Sequence, residues 1–362
     1  MDVTPLAKNK NIKIHKMNKI TYFIFLCAGI LLTSFDIKDN AQNDDALFPV
    51  KVDGKCGYID KKGKIAIEPQ FEYAWAFSEG LAIVRDNKTK RLGVINKDGK
   101  YVINPHFQWL EDFNEGLAKA ITLNAEFGFI DTNGTMVIST DRPFINSFNE
   151  GLTTIIKLSG EKERHGYIDK KGDIVIDTVF DWAENFSEGL AAVFITDKYG
   201  YIDKKGRIVI EPQFGHAEKF HEGIARVKTG SYWSGQYAYI NKKGKIIIPT
   251  QSYYASDFHE GLAVIWKDDH LVYINKKGKT VISHQIVKAR DFHEGLAAVK
   301  IGEQKTGKWG YIDKKGKIVI SPQFDNAEDF SNGLARVGMG EISKEKWGYI
   351  NRKGEWVWKP TD

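Results

Sequence analysis

Cysteine is nearly absent: two residues in 362, Cys27 and Cys56, cannot build a disulfide framework or a thiolate cluster on zinc. A long hydrophobic run is missing as well. The apolar stretch at residues 20–32 is well short of the ~20 residues a membrane-spanning helix requires. The chain has no Gly-rich phosphate loop of the right spacing, no G-x-S-x-G elbow and no H-E-x-x-H, which removes three common routes to a named catalytic chemistry. Charge of one sign is scarce too: 52 basic against 47 acidic side chains leave a formal +5. With 42% apolar and 12% aromatic residues, wholesale disorder is excluded.

The first forty residues read as an address. Lysines 8, 10, 13, 16 and 19 precede the apolar run, and Thr33, Ser34 and polar chain follow it, the order of a secretory signal. Met17 offers a second start with a compact basic leader. Cys27 follows Phe25 and Leu26 rather than a small residue, so lipidation is not expected. Residues 1–42 are therefore read as a signal and short polar leader, and 43–362 as the exported domain, destined for the periplasm, the cell envelope or the outside. An uncleaved signal anchor is the only membrane attachment expected. Removing residues 1–42 takes away six Lys and three Asp, so the formal charge falls to +2. Most of the basicity belongs to the leader, and nucleic acid is not an expected partner.

What the exported chain does contain is one pattern nine times over. A string such as GYIDKKGKIAI begins at Gly57, Gly93, Gly128, Gly166, Gly200, Ala238, Val272, Gly310 and Gly348. A second string, FSEGLA in its first copy, places Gly at 80, 116, 151, 189, 223, 261, 295 and 333, always 23 residues further on. The distance from there to the next copy varies from 11 to 15. A fixed block with one permissive connection is how a packed unit with a solvated loop behaves. The Asp-Lys-Lys-Gly tetrad predicts a hairpin turn, with Asp bonding the backbone ahead and Gly supplying positive φ. Short β-branched runs flank it, and a third strand follows each FSEG. That third strand is apolar on both faces (Leu81 and Ile83 against Ala82 and Val84), so each unit must lie between neighbours. The segment from Asp325 to Gly333 predicts a single helical turn, from Ala327 and Phe330 three apart and the closing Gly.

The stretch KWGYIDKKGKIVISPQFDNAEDFSNGLARV at 308–337 resembles the repeat of the bacterial WG-repeat (KWG-repeat) family, and the resemblance extends over about residues 47–360. The Trp-Gly pair survives only at Trp309-Gly310 and Trp347-Gly348. Elsewhere the Trp position holds Cys56, Leu92, Phe127, His165, Tyr199, Tyr237 and Leu271, the residue types of a packing slot. The resemblance implies a binding or interaction repeat and names no ligand. The expected fold is all-β, a tandem array of about nine three-stranded antiparallel meanders, open and superhelical or solenoid-like because the terminal units look complete. A closed β-propeller is the alternative.

The candidate residues follow from the repeats. The glutamates at 79, 115, 150, 188, 222, 260 and 294 share one position, which argues against a unique catalytic pair. His221, His259 and His293 also share one position, with Ser or Asn at its equivalents, and copies a whole unit apart are not expected to converge on a metal. Cys56, in an apolar slot, is expected to be buried and inert. No enzymatic activity, cofactor or metal is therefore expected. The two central positions of the nine turns carry 15 Lys or Arg, among them Lys61, Lys62, Lys204, Lys205, Lys314 and Lys315. In register they would form a basic ridge, either simply solvated or docked on an acidic glycan. The loop at 229–237 is the exception to the charged connections, with Tyr232, Trp233 and Tyr237 amid Gly and Ser. These aromatics are a candidate ligand contact, unless Trp233 folds back over an adjacent repeat. The expected role is an interaction scaffold with a protein or cell-envelope partner, the alternative a carbohydrate or envelope-polymer binder.

Overall fold

In a computed structural model the chain divides into one unit of Met1–Ala41 and another of Gln42–Asp362. The structure describes residues 45–140, 146–250, 252–283, 285–341 and 345–360, all in the second unit. The expected signal and leader lie outside the described residues. Among those described there is no helix, so none long and apolar enough to cross a membrane.

The strands form nine antiparallel sheets in sequence order, numbered here as blades 1 to 9. Blade 2 illustrates the unit: Tyr73–Ala74, Leu81–Arg85, Leu92–Asn96 and Tyr101–Phe107 pair consecutively. Six blades have four strands among the described residues, one more than expected from the sequence, and blades 1, 4 and 7 have three. The extra strand is short and lies where a helical turn was predicted. In blade 9 it spans Asn326–Ser331, with a register shift between Ala327 and Phe330. Asn332 and Gly333 then close the hairpin at φ 52° and 86°. Two successive left-handed residues make a turn of the I′ kind, whose twist suits a hairpin. The Ala and Phe three apart are a bulged strand with both side chains buried, and not one face of a helix.

The array is closed, which corrects the expected open superhelix. Phe48 in blade 1 meets the Tyr349 ring of blade 9 edge-on at 5.5 Å, and the Tyr349 hydroxyl donates to Pro49 O at 3.0 Å. Ala46, Phe48, Val50 and Ile59 share one buried cluster with Leu334 and Tyr349. Nine sheets in a ring make a nine-bladed β-propeller, in which stacking covers both faces of each meander and blade 1 meets blade 9. The physical reason the ends look complete is a difference in phase. Each sequence repeat carries the last two strands of one blade and the first strands of the next. Residues 48–52 therefore supply blade 1 with the strand that in other blades comes from a preceding repeat.

The same inter-blade device recurs around the ring. The Tyr of each Tyr-Ile strand is buried, and its hydroxyl donates to a main-chain carbonyl of the next blade: Tyr201 to Glu218 at 2.7 Å, Tyr239 to Ser256 at 2.6 Å, Tyr311 to Glu328 at 2.7 Å. Apart from Tyr349, which meets Phe48, each such Tyr also packs on the repeated Phe of that blade, as Tyr201 on Phe220 at 4.9 Å. Burial pushes the Tyr167 and Tyr201 hydroxyls well above the usual phenol range, which keeps them as donors.

Candidate binding site

Strand alternation puts two sets of turns on one face of the ring, the Glu-Gly turns and the Asp-Lys-Lys-Gly turns. The variable loops leave from the other face.

On the first face the repeated glutamates have a structural role that explains an oddity of the turn. A I′ turn favours Asn or Asp at its first central position, yet seven blades place Glu there, at φ between 49° and 55°. The longer side chain reaches the next blade. Glu188 accepts from Gly223 N at 3.0 Å and pairs with Lys242 at 3.1 Å; Glu222 does the same with Gly261 and Lys276, each at 2.9 Å. The pattern runs from Glu79 to Glu294, which takes Gly333 N and the Arg352 guanidinium. Asp45 substitutes at blade 1 by pairing with Lys97 of blade 2 at 2.7 Å. In blade 9 the position reverts to Asn332, the residue turn chemistry prefers, and its amide bonds Ser331.

The basic ridge is consequently divided. Lys204 and Lys314 are drawn onto Glu150 and Glu260, at 3.1 and 2.7 Å. Lys62, Lys205 and Lys315 are exposed, and Lys61 is half-buried.

Stacking of blades 6 to 8 also brings together the three histidines expected to lie apart. His221 stacks on His259 at 4.4 Å and His259 on His293 at 5.3 Å, across two blade interfaces. Such short separations between equivalent positions place these turns close to the ring axis. His259 lies 3.6 Å from Asp291, and His293 lies 3.8 Å from Asp329. Burial pulls the His259 imidazole below its usual range. Among the described residues, no three His, Cys, Asp or Glu side chains are grouped as a metal site. Cys56 is half-buried and its thiol pushed up by burial, and Sγ contacts Glu72 O.

Asp112, beside Phe113 on the same face, carries a testable cost. Burial, and secondarily Glu111, push its carboxyl up to about 6. Between its ordinary value and pH 6 the folded chain holds more protons than the unfolded one, so this group's contribution to stability falls as pH rises through that window. Asp112→Asn is expected to raise the melting temperature by a few degrees at pH 7.5 and to leave it unchanged at pH 4. Thermal melts at both pH values check this. The same gain at pH 4 would remove burial of the charge as the cause.

The aromatic residues picked out in the variable loop meet on the opposite face. Strand Ile224–Lys228 leads into the loop and Tyr237–Asn241 leaves it, both in blade 6. The loop is pinned rather than flexible: Gly235 N donates to Ser231 O at 2.9 Å, Ser234 N to Ser231 Oγ at 3.1 Å and Lys228 Nζ to Tyr232 O at 2.9 Å. Gly235 is required here, because a Cβ would stand 2.1 Å from Thr229 O. Trp233 does not fold back; it is 88% exposed. Its ring stands perpendicular to Tyr232, at 84° and 4.9 Å, and Tyr232 meets His216 edge-on at 5.4 Å. The aromatic row continues through His216 and Tyr199 to Phe194 in blade 5.

Tyr232, Trp233 and Tyr237 line a cleft of about 400 Å³ together with His216, Glu218 and Lys228. Sequence reading missed these last three. His216 and Glu218 lie on one face of the first strand of blade 6 by their two-residue spacing, and Lys228 ends the second. Their only signal was strand alternation, in a segment predicted as a helical turn. Glu218 Oε1 takes His216 Nε2 at 3.1 Å and Arg226 at 3.0 Å. Burial opposes that charge, but these partners hold the carboxyl below its usual range. The Lys228 ammonium sits 5.5 and 5.2 Å from the Tyr232 and Tyr237 ring centres. His216 Nδ1 is buried without a partner.

A family model described as "WG containing repeat" matches residues 57–89, 93–121, 127–160, 166–199, 199–233, 237–269, 273–304, 309–341 and 347–361. No curated protein sequence matches the chain. Among solved structures, BamB from Moraxella catarrhalis is 12% identical over 83% of this chain and 95% of its own, with a TM-score of 0.36. The extracellular domain of a hybrid two-component system from B. thetaiotaomicron is 13% identical over 84% of this chain and 49% of its own, at 0.28. A Bacteroides caccae protein of unknown function is 15% identical over 58% and 93%, at 0.25. These likenesses are too low to carry an argument, and the ring rests on this chain's own contacts.

Proposed function

From the premise that this chain belongs to the WG-repeat family, we propose that it is an exported binding scaffold, without catalytic activity of its own, that engages a cell-envelope component through the cleft of blade 6. The observation that carries this reading is Trp233. A fully presented indole on a hydrogen-bonded loop contributes nothing to the core, and large rigid aromatics of this kind anchor recognition. Support for a non-catalytic role comes from the glutamates: the repeated carboxylates of blades 2 to 8 are occupied in joining blades, which leaves them poorly placed for proton transfer. Export rests on the order of basic, apolar and polar residues in 1–42.

The test is Trp233→Ala. Stability is expected to change by less than about 0.5 kcal/mol, since the side chain is exposed. Capture of the partner from the envelope fraction of the source cells should fall at least about tenfold, as for a hot-spot aromatic. Undiminished capture by the variant would move recognition away from this cleft.

A further inference from the structure

The geometry points to a ligand class for the cleft: we infer that it holds an uncharged pyranose unit of a glycan, with the apolar face of the sugar on Trp233. This rests on the cleft of blade 6 being the recognition site. Its volume, about 400 Å³, is at the lower end for small-molecule sites. The perpendicular Tyr232 and Trp233 rings form a corner with two apolar walls. A sugar ring presents C–H bonds on one face and hydroxyls around its rim, so it is matched by an aromatic face with polar groups at the side.

Those groups are present. Glu218 lines the cleft and is kept ionised by bonds to Oε1, so its carboxylate remains an acceptor for ligand hydroxyls. The Lys228 ammonium spends one donor on Tyr232 O and retains two. His216, bonded through Nε2 to Glu218, adds a third polar side chain to the lining. Glu218 and Lys228 line the cleft, and the Arg226 guanidinium on Glu218 is itself paired with Asp257 at 3.0 Å, so no excess charge is left there, which disfavours an anionic sugar that would need a net positive pocket. A peptide is the poorer match, because the cleft offers side-chain groups around an aromatic corner rather than an open strand edge. Pinning of the loop lowers the ordering cost of binding.

The probes are three tetrasaccharides titrated calorimetrically into the intact protein: β-1,4-linked glucose, β-1,4-linked N-acetylglucosamine, and a uronic-acid-containing tetrasaccharide from hyaluronan. At least one neutral probe is expected to bind, with affinity nearly unchanged between low and high salt. Trp233→Ala should weaken it at least about tenfold. Trp233→Tyr should recover most of the loss, and Trp75→Ala in blade 2, also an exposed indole, should have no effect. Binding of the uronate probe alone, with steep loss in salt, overturns the inference. So does neutral binding that ignores Trp233. If no probe binds while envelope capture still depends on Trp233, the glycan assignment fails and the scaffold reading stands.

Discussion

Gly310→Ala is expected to destabilise the propeller by more than about 3 kcal/mol, one of the largest single losses available to so small a change. A Cβ at Gly310 would lie 2.5 Å from Ile320 O and 2.7 Å from Pro322 N, both main-chain atoms of the neighbouring strand. Backbone cannot step aside as a side-chain tip can. The Gly of the Trp-Gly pair is therefore there for close approach, where the fourth strand runs on through a bulge between Trp309 and Tyr311. The five seven-residue last strands of a blade all face a Gly: 57, 93, 166, 200 and 310. Where Ala238 or Val272 stands instead, that strand is only Ile246–Pro249 or Thr280–Ile282, and beside Gly348 it is Trp356–Trp358, so the Gly permits the long strand without producing it by itself. Gly223→Ala is the control: at φ +80° with no atom within 4 Å, it should cost only about 1–2 kcal/mol of left-handed strain. Denaturant unfolding of both variants decides; equal losses would mean that conformation, not crowding, fixes glycine at 310.

The second large effect is expected at the seam. Phe48→Ala removes a ring that is 7% exposed and packed on Tyr349, a loss of about 3–5 kcal/mol for a buried aromatic. Phe258→Ala, at an interface tied by Glu222 and Lys276, should cost a similar amount. The two variants should nevertheless differ in shape. Blade 9 has Asn332 in place of the bridging glutamate, so side-chain packing and the Tyr349 to Pro49 bond carry closure there. Phe48→Ala is expected to enlarge the maximum dimension in X-ray scattering and to expose the first strand to protease at sub-denaturing temperature. Phe258→Ala should do neither. If both variants open alike, the seam is no weaker than the other joints.

Much of this fold is legible in the chain. Asp-Lys-Lys-Gly with β-rich flanks can hardly be anything but a hairpin, and strands apolar on both faces demand neighbours on both sides. Closure was hidden because residues 46–52 and 347–358 each look like a finished piece, and nothing local says that Tyr349 should find Pro49 some 300 residues away. The Ala-x-x-Phe segment misleads for a different reason: a bulged strand ending in a left-handed pair places two apolar residues three apart, as one helical turn does. At the cleft, the aromatic half is legible from composition. The polar half is not, because His216 and Glu218 belong to the preceding strand and only the pairing brings them beside Tyr232. The glutamates were visible as a repeat, yet their use was not, since a carboxylate that reaches into the next blade leaves no mark on its own sequence.

The phase shift between repeat and blade bears on how such a ring can change size. Every internal repeat carries one half of each of two blades, and most of them carry the Tyr, Glu and Lys that belong to both of their joints. Duplicating or losing one whole repeat inside the array would therefore regenerate matched joints on either side of the change. The seam would be untouched, because its partners, Phe48 and Tyr349, are fixed at the two ends. Unequal recombination among the copies is thus a route to rings of other blade number, in which only the wedge angle between neighbours must adjust.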